Sequence, residues 1–138
     1  MGVRRKARIA AFQGLYAWED SRGAVDELIR FDWLDKDIGG EARDFAAMLI
    51  AGTLERVDEI DDHIRGNLKK WSFGRLSKVD LAILRVAVYA LIYQGDVPKA
   101  VTIDEAVEIA KKFGSPDSFR FVNGVLDGIR RTQLSSCP

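Results

Sequence analysis

The chain has 138 residues, 47% of them hydrophobic, which is enough to build one cooperative domain around a sizeable core. Basic and acidic residues number 21 each, so the formal net charge is zero and whole-chain charge points to no polyanionic partner. A single histidine and a single cysteine exclude an internal disulfide and leave no set of nucleophiles, bases or metal ligands large enough to converge on a catalytic centre or to hold a cofactor.

The three prolines and twelve glycines do not gather into a linker, and no repeat is present, so residues 1–138 read as one domain whose tail frays from about residue 132. Charge is unevenly placed. Arg4, Arg5, Lys6 and Arg8 open the chain with no acid among them, whereas acids far outnumber bases between residues 19 and 62. Such a localised positive end is the minimum a phosphate-contacting surface requires; it is equally what a solvated helix end looks like. Gln13, Glu19 and Asp20 interrupt any signal-like apolar run, so the mature end is expected here. The lone Cys137, close to the C-terminus, is read as an exposed thiol in a reducing, cytoplasmic setting.

Every long segment has helical period, which predicts an all-α bundle of six to seven helices. The first helix is expected over about Arg4 to Asp20, with Ile9, Phe12, Leu15 and Tyr16 as its apolar stripe. A shorter one is expected near Ala24 to Leu34, ended by Gly39-Gly40. From Glu41 a single long helix carries Phe45, Met48, Leu49, Gly52, Val57, Ile60 and Ile64, and Glu55, Arg56, Asp58, Glu59 and Asp61 read as its solvated face. Val79 to Tyr93 is apolar on nearly all sides, interrupted only by Asp80 and Arg85, and so belongs at the centre of a bundle; it is too short and too charged to cross a membrane. Thr102 and Glu105 have the spacing of a capping box, which starts the next helix, with Ile103, Ala106, Val107, Ala110 and Phe113 inward. Gly114 ends that helix, and Ser115-Pro116-Asp117 has the order of an N-cap, a first helical proline and a first-turn acid. The last helix then buries Phe119, Val122, Val125, Leu126 and Ile129.

No active site is legible. His63 has no second histidine or cysteine at ligand spacing and reads as a surface residue, while Asp61 and Asp62 diverge by about 100° on a helix and cannot act as a general acid/base pair. The one oddity is Phe121, which points about 100° from the buried stripe onto a face shared with Asp117, Gly124 and Gly128. Two glycines within a helix each cost about 1 kcal/mol relative to alanine. Either another helix packs closely against them, or Phe121 is a platform for an unpaired base beside open backbone, with Arg120 and Asn123 at hand for phosphate and base edges.

Phe113-Gly114-Ser115-Pro116-Asp117-Ser118, followed by Phe121-Val122-Asn123-Gly124-Val125-Leu126-Asp127, resembles the carboxy-terminal signature of the NusB family. Val79-Asp80, Ile83-Leu84-Arg85, Tyr89, Val97-Pro98, Glu105-Ala106 and Ala110-Lys111 match its central pattern, and Arg4-Arg5-Lys6-Ala7-Arg8 with Gln13-Gly14-Leu15-Tyr16 resembles its start. The resemblance spans almost the whole chain. It implies two packed three-helix subdomains, recognition of single-stranded boxA RNA in ribosomal RNA leader transcripts, and partnership with NusE, the small-subunit ribosomal protein, and through it with elongating RNA polymerase. By the same resemblance Arg4, Arg5 and Arg8 position phosphates, Gln13 and Tyr16 approach bases, Phe121 stacks, and Asp117 and Arg120 flank it. No metal, cofactor or membrane is implied, and a homodimer of the free protein is compatible with it. Gly14 stands where the family usually has alanine, Ala90 where an acid is common, and Thr132 to Pro138 replace a basic extension, which implies a weaker phosphate grip. A helical adaptor that docks a protein without reading RNA is the competing expectation; an RNA-modifying enzyme is disfavoured because no glycine-rich cofactor loop or catalytic cysteine is present.

Overall fold

The structure, a computed structural model, describes residues 2–69 and 72–134. Seven α-helices account for most of it: α1 Val3–Ser21, α2 Val25–Leu28, α3 Gly40–Glu55, α4 Val57–Arg65, α5 Lys78–Tyr93, α6 Lys99–Phe113 and α7 Ser118–Ile129. No strand occurs among the described residues. A 3₁₀ turn, Phe73–Arg75, leads into α5, and Arg130–Leu134 continue α7 as a wider helical turn. Cys137 and the end of the tail lie outside the described residues. No helix among the described residues is long and apolar enough to cross a membrane.

Helix α5 is the hub. Residues 81–88 are buried without interruption, and α5 touches α1, α3, α4, α6 and α7, as its all-round apolar sequence requires. Ser77 caps it by accepting a hydrogen bond from the Asp80 backbone N–H at 3.0 Å. Helices α1 to α3 pack together on one side and α5 to α7 on the other, joined mainly along α1 and α5, so the expected pair of three-helix groups is present, with α4 bridging α3, α5 and α7.

Several local expectations are corrected by tertiary context. The single long helix from Glu41 is two, broken at Arg56, whose φ of −119° and ψ of 22° leave the helical region. That break lets α4 turn and bring Asp61 inward, where the sequence placed it on a solvated face. The helix expected over Ala24 to Leu34 ends at Leu28, because buried Phe31 takes a left-handed conformation and the Trp33 indole N–H donates to the Leu28 carbonyl oxygen. The capping box does not form either. Helix α6 begins a turn earlier, after Pro98, so Thr102 is interior and buried with its hydroxyl unpartnered, and Glu105 is released for another role. At α7 the helix starts at Ser118, with Pro116 and Asp117 in the preceding turn and the Ser115 N–H donating to the Ser118 hydroxyl oxygen. Ile9, Val107, Phe113 and Phe119 are half-buried margins of the core, and Tyr16 is exposed.

The α3–α5 crossing depends on Gly52. A Cβ built there would run into the Tyr89 ring, so the two helices approach only because position 52 has no side chain. Gly52→Ala gains about 1 kcal/mol of helix propensity but overpacks the crossing, at about 1–3 kcal/mol. Net destabilisation in denaturant melts is the expected result, and Tyr89→Leu in the same chain is expected to relieve it.

Candidate nucleic-acid interface

The α1 sequence puts Arg5, Ile9, Gln13, Tyr16 and Asp20 along one outward face, because these positions fall three or four residues apart. At its C-terminal end this face meets the start of α5. Asp20 accepts a hydrogen bond from Lys78, and the Asp20 carboxylate raises the Lys78 ammonium above its ordinary value. Tyr16, 42% exposed, lies close enough to act on the same charge.

Next to Ser77 and Lys78 opens a cleft lined by Arg75, Ser77, Asp80, Ser115, Asp117 and Phe121. The fold explains why they meet: the turn before α5 supplies Arg75 and Ser77, the first turn of α5 supplies Asp80, and the turn into α7 with its first helical turn supplies the rest. Phe121 is half-buried, resting on the margin of the core while forming part of the cleft wall. It is therefore less exposed than its helical angle suggested. Gly124, a turn further along α7, has nothing within 4 Å of where a Cβ would be, so its backbone is open to close approach. Gly128 is the opposite case, since a Cβ there would collide with Asn67 after α4. The close-packing explanation thus applies to Gly128, through Asn67 rather than a helix, and not to Gly124. One Asp80 carboxylate oxygen is buried without a hydrogen-bond partner among the described residues, and Asp117 is exposed at the head of α7. Arg120 pairs with Asp117 at 3.8 Å and lies 5.2 Å from the Phe119 ring centroid, on the Phe119 side.

The arginines at the other end of α1 do not project together. Arg4 lies over the Phe45 ring of α3 at 4.7 Å. Arg5 donates a forked pair of hydrogen bonds to Glu105 of α6, at 2.9 and 3.2 Å, and this partner raises its guanidinium above the ordinary value. Arg8 is half-buried against a small cavity shared with Phe12, Leu49, Thr102 and Ala90; burial lowers its guanidinium, partly offset by Glu105 at 3.9 Å. Arg8 therefore does not project into solvent with the rest of the positive end, and the sequence missed Glu105, whose spacing was assigned to a cap. Arg5 and Tyr16 are separated by about 16 Å along the helix at 1.5 Å per residue. Among the predicted residues the structure groups Asp117 and Phe121 in the cleft, leaves Tyr16 on α1 near Lys78 with Gln13 on the same helix, and sets Arg4, Arg5 and Arg8 about two to three turns of α1 from Tyr16. Arg75, Ser77 and Asp80 escaped the sequence reading because only the fold brings the α5 turn to α7.

Fold and surface together define a small all-helical protein that carries its polar and aromatic chemistry on an open face running from a helix end to a shallow cleft. The family model for NusB matches residues 5–131, and the chain belongs to the NusB family. A transcription antitermination protein NusB of Treponema pallidum is 48% identical over 131 residues, covering 94% of this chain and 93% of its own. A solved T. maritima NusB superposes with a TM-score of 0.85 at 42% identity, covering 94% of this chain and 91% of that one. A structure of the antitermination factors NusB and NusE in complex with dsRNA gives a TM-score of 0.79 at 27% identity, covering 95% and 98%. These relatives are named as transcription factors, in keeping with the non-enzymatic reading of the sequence.

Proposed function

We propose that this protein is a cytoplasmic transcription antitermination factor that binds the single-stranded boxA element of ribosomal RNA leader transcripts together with NusE, and so supports rRNA operon transcription by RNA polymerase. The observation that carries the reading is the half-buried Phe121 on the wall of a cleft, beside the open backbone of Gly124. An aromatic face with room above it suits an unstacked base, and single-stranded RNA is recognised chiefly by stacking and by its base edges. Asp80 and Asp117 offer acceptors for base amino groups, Arg75 and Lys78 offer charge for phosphates, and Gln13 and Tyr16 of α1 would approach bases. The family relative solved with NusE and RNA supports both partners.

The test is a fluorescence-anisotropy titration of boxA-like RNA with and without NusE over a salt series. Binding that tightens with NusE, weakens for a scrambled RNA and falls with salt along a straight log–log line is the expected result. Salt-insensitive association with NusE and no RNA binding in either arm would instead establish a protein-docking adaptor and overturn the proposal.

A further inference from the structure

We propose that Glu105 is a built-in stand-in for an RNA phosphate: it holds the Arg5 fork in the free protein and is displaced by a phosphodiester when RNA binds. The inference rests on the RNA-binding reading above and adds to it a residue that sets the strength of the phosphate grip.

The Arg5 Nε and one terminal nitrogen reach the two oxygens of the Glu105 carboxylate at 2.9 and 3.2 Å, the parallel two-bond geometry that a guanidinium makes with carboxylate and phosphate alike. The same carboxylate lies 3.9 Å from Arg8. One acid on α6 therefore offsets two of the three arginines at the start of α1. The pair is not locked into the core. The Arg5 side chain is 44% exposed and Glu105 20%, and Arg5 opens onto a groove between α1 and α6 lined by Ile9, Glu108, Lys111 and Lys112. Lys111 is itself held by Glu108 at 3.4 Å, whereas Lys112 lies against the Phe113 ring at the end of α6. Surface ion pairs of this kind add little to folding, so an incoming phosphate can exchange for the carboxylate without unravelling α1 or α6. Once α6 starts at Lys99, Glu105 has no capping duty, and its carboxylate faces Arg5 and Arg8 of α1.

The test uses the full chain and single-stranded RNA in two forms, boxA-like and scrambled, at several salt concentrations. Glu105→Gln keeps the side-chain shape but removes the competing charge, so it is expected to tighten binding about 3- to 10-fold at low salt while leaving the log–log salt slope near the parent's, since Arg5 meets the same phosphate in both. Both RNAs are expected to tighten by the same factor, since phosphate contacts do not read bases. Adding Arg5→Ala to Glu105→Gln is expected to erase the gain. Glu108→Gln makes the same change of net charge one turn away, without holding the Arg5 fork, and is expected to give less than half of it. Weaker or unchanged binding by Glu105→Gln, with thermal melts showing it folded, overturns the proposal, as does an equal gain from Glu108→Gln. Should Glu105→Gln fold poorly, Glu105→Ala decides on the same readouts. A parent chain that binds neither RNA, with or without NusE, removes the RNA-binding reading as well; a parent that binds while Glu105→Gln gives no gain removes this inference alone.

Discussion

Replacing Arg85 by alanine is expected to cost about 3–5 kcal/mol of folding stability, the usual penalty for removing one member of a buried ion pair and leaving its partners uncompensated. Arg85 is 1% exposed in the middle of α5. Its Nε and one terminal nitrogen each reach Asp61 of α4 at 2.9 Å, and the other terminal nitrogen pairs with Glu19 of α1. Three helices are therefore pinned at one guanidinium, and Trp18 covers it at 5.4 Å. Denaturant melts measure the loss directly. Arg85→Met with Asp61→Leu is expected to recover much of it, because apolar side chains of similar volume often replace a buried pair at little net cost.

The same cluster gives stability a defined pH dependence. Burial pushes the Glu19 carboxyl up, but the hydrogen bond and charge of Arg85, helped by Arg22, outweigh it and hold Glu19 below its ordinary value. A carboxyl with a lowered folded-state value contributes stability above its unfolded value, about 4.3 for glutamate, and loses it as pH falls through the folded one. The stability difference between parent and Glu19→Gln is thus expected to be full at pH 7 and to shrink steadily in acid. Melting curves across that range check the sign.

Arg85 also shows why some of the molecule was legible in sequence and some was not. Helix α5 declared itself, since fifteen nearly uninterrupted apolar positions have one physical solution, the centre of a bundle. The periods of α1, α6 and α7 were equally plain. What periodicity cannot report is the neighbour a charged residue will find. Asp61 alternates with Ile60 and Ile64 as a surface acid would, and only the break at Arg56 and the resulting turn of α4 carry it to Arg85. Glu105 was misread for a related reason: the Thr102–Glu105 spacing satisfies a local rule, but a helix start one turn upstream, after Pro98, makes that rule irrelevant. The candidate interface divides the same way. Phe121 and Gly124 stood out because they break the pattern of their own helix, and Asp117 entered through the family resemblance. Arg75, Ser77 and Asp80 carry no local sign of a shared site and become visible as one only when α5 is set beside α7.

Phe121→Ala is expected to weaken binding of boxA-like RNA by about 1–3 kcal/mol, the worth of one stacked base, or roughly 5- to 150-fold in affinity. Its folding cost is larger than an exposed ring would give. Phe121 leans on the core margin, so truncation forfeits part of the contact area that makes a fully buried Phe→Ala change cost about 3–5 kcal/mol, and a loss of about 1–2 kcal/mol is expected. Binding must accordingly be measured where the variant is folded, as melts will establish. Two neighbours separate stacking from general damage to α7. Val122→Ala removes a fully buried side chain and is expected to destabilise the chain while leaving RNA affinity intact once folded. Phe119→Ala removes a half-buried ring held between Lys111 at 5.4 Å and Arg120 at 5.2 Å, away from the cleft, and is also expected to bind normally. Its stability loss is smaller than the core placement in the sequence reading implied, because the ring lies at the core margin. Phe121→Trp keeps a π-face over the cleft and is expected to retain binding where alanine does not. If Phe121→Ala binds RNA as the parent does, the stacking role is wrong, and the interface must be redrawn around Tyr16 and the α1 arginines.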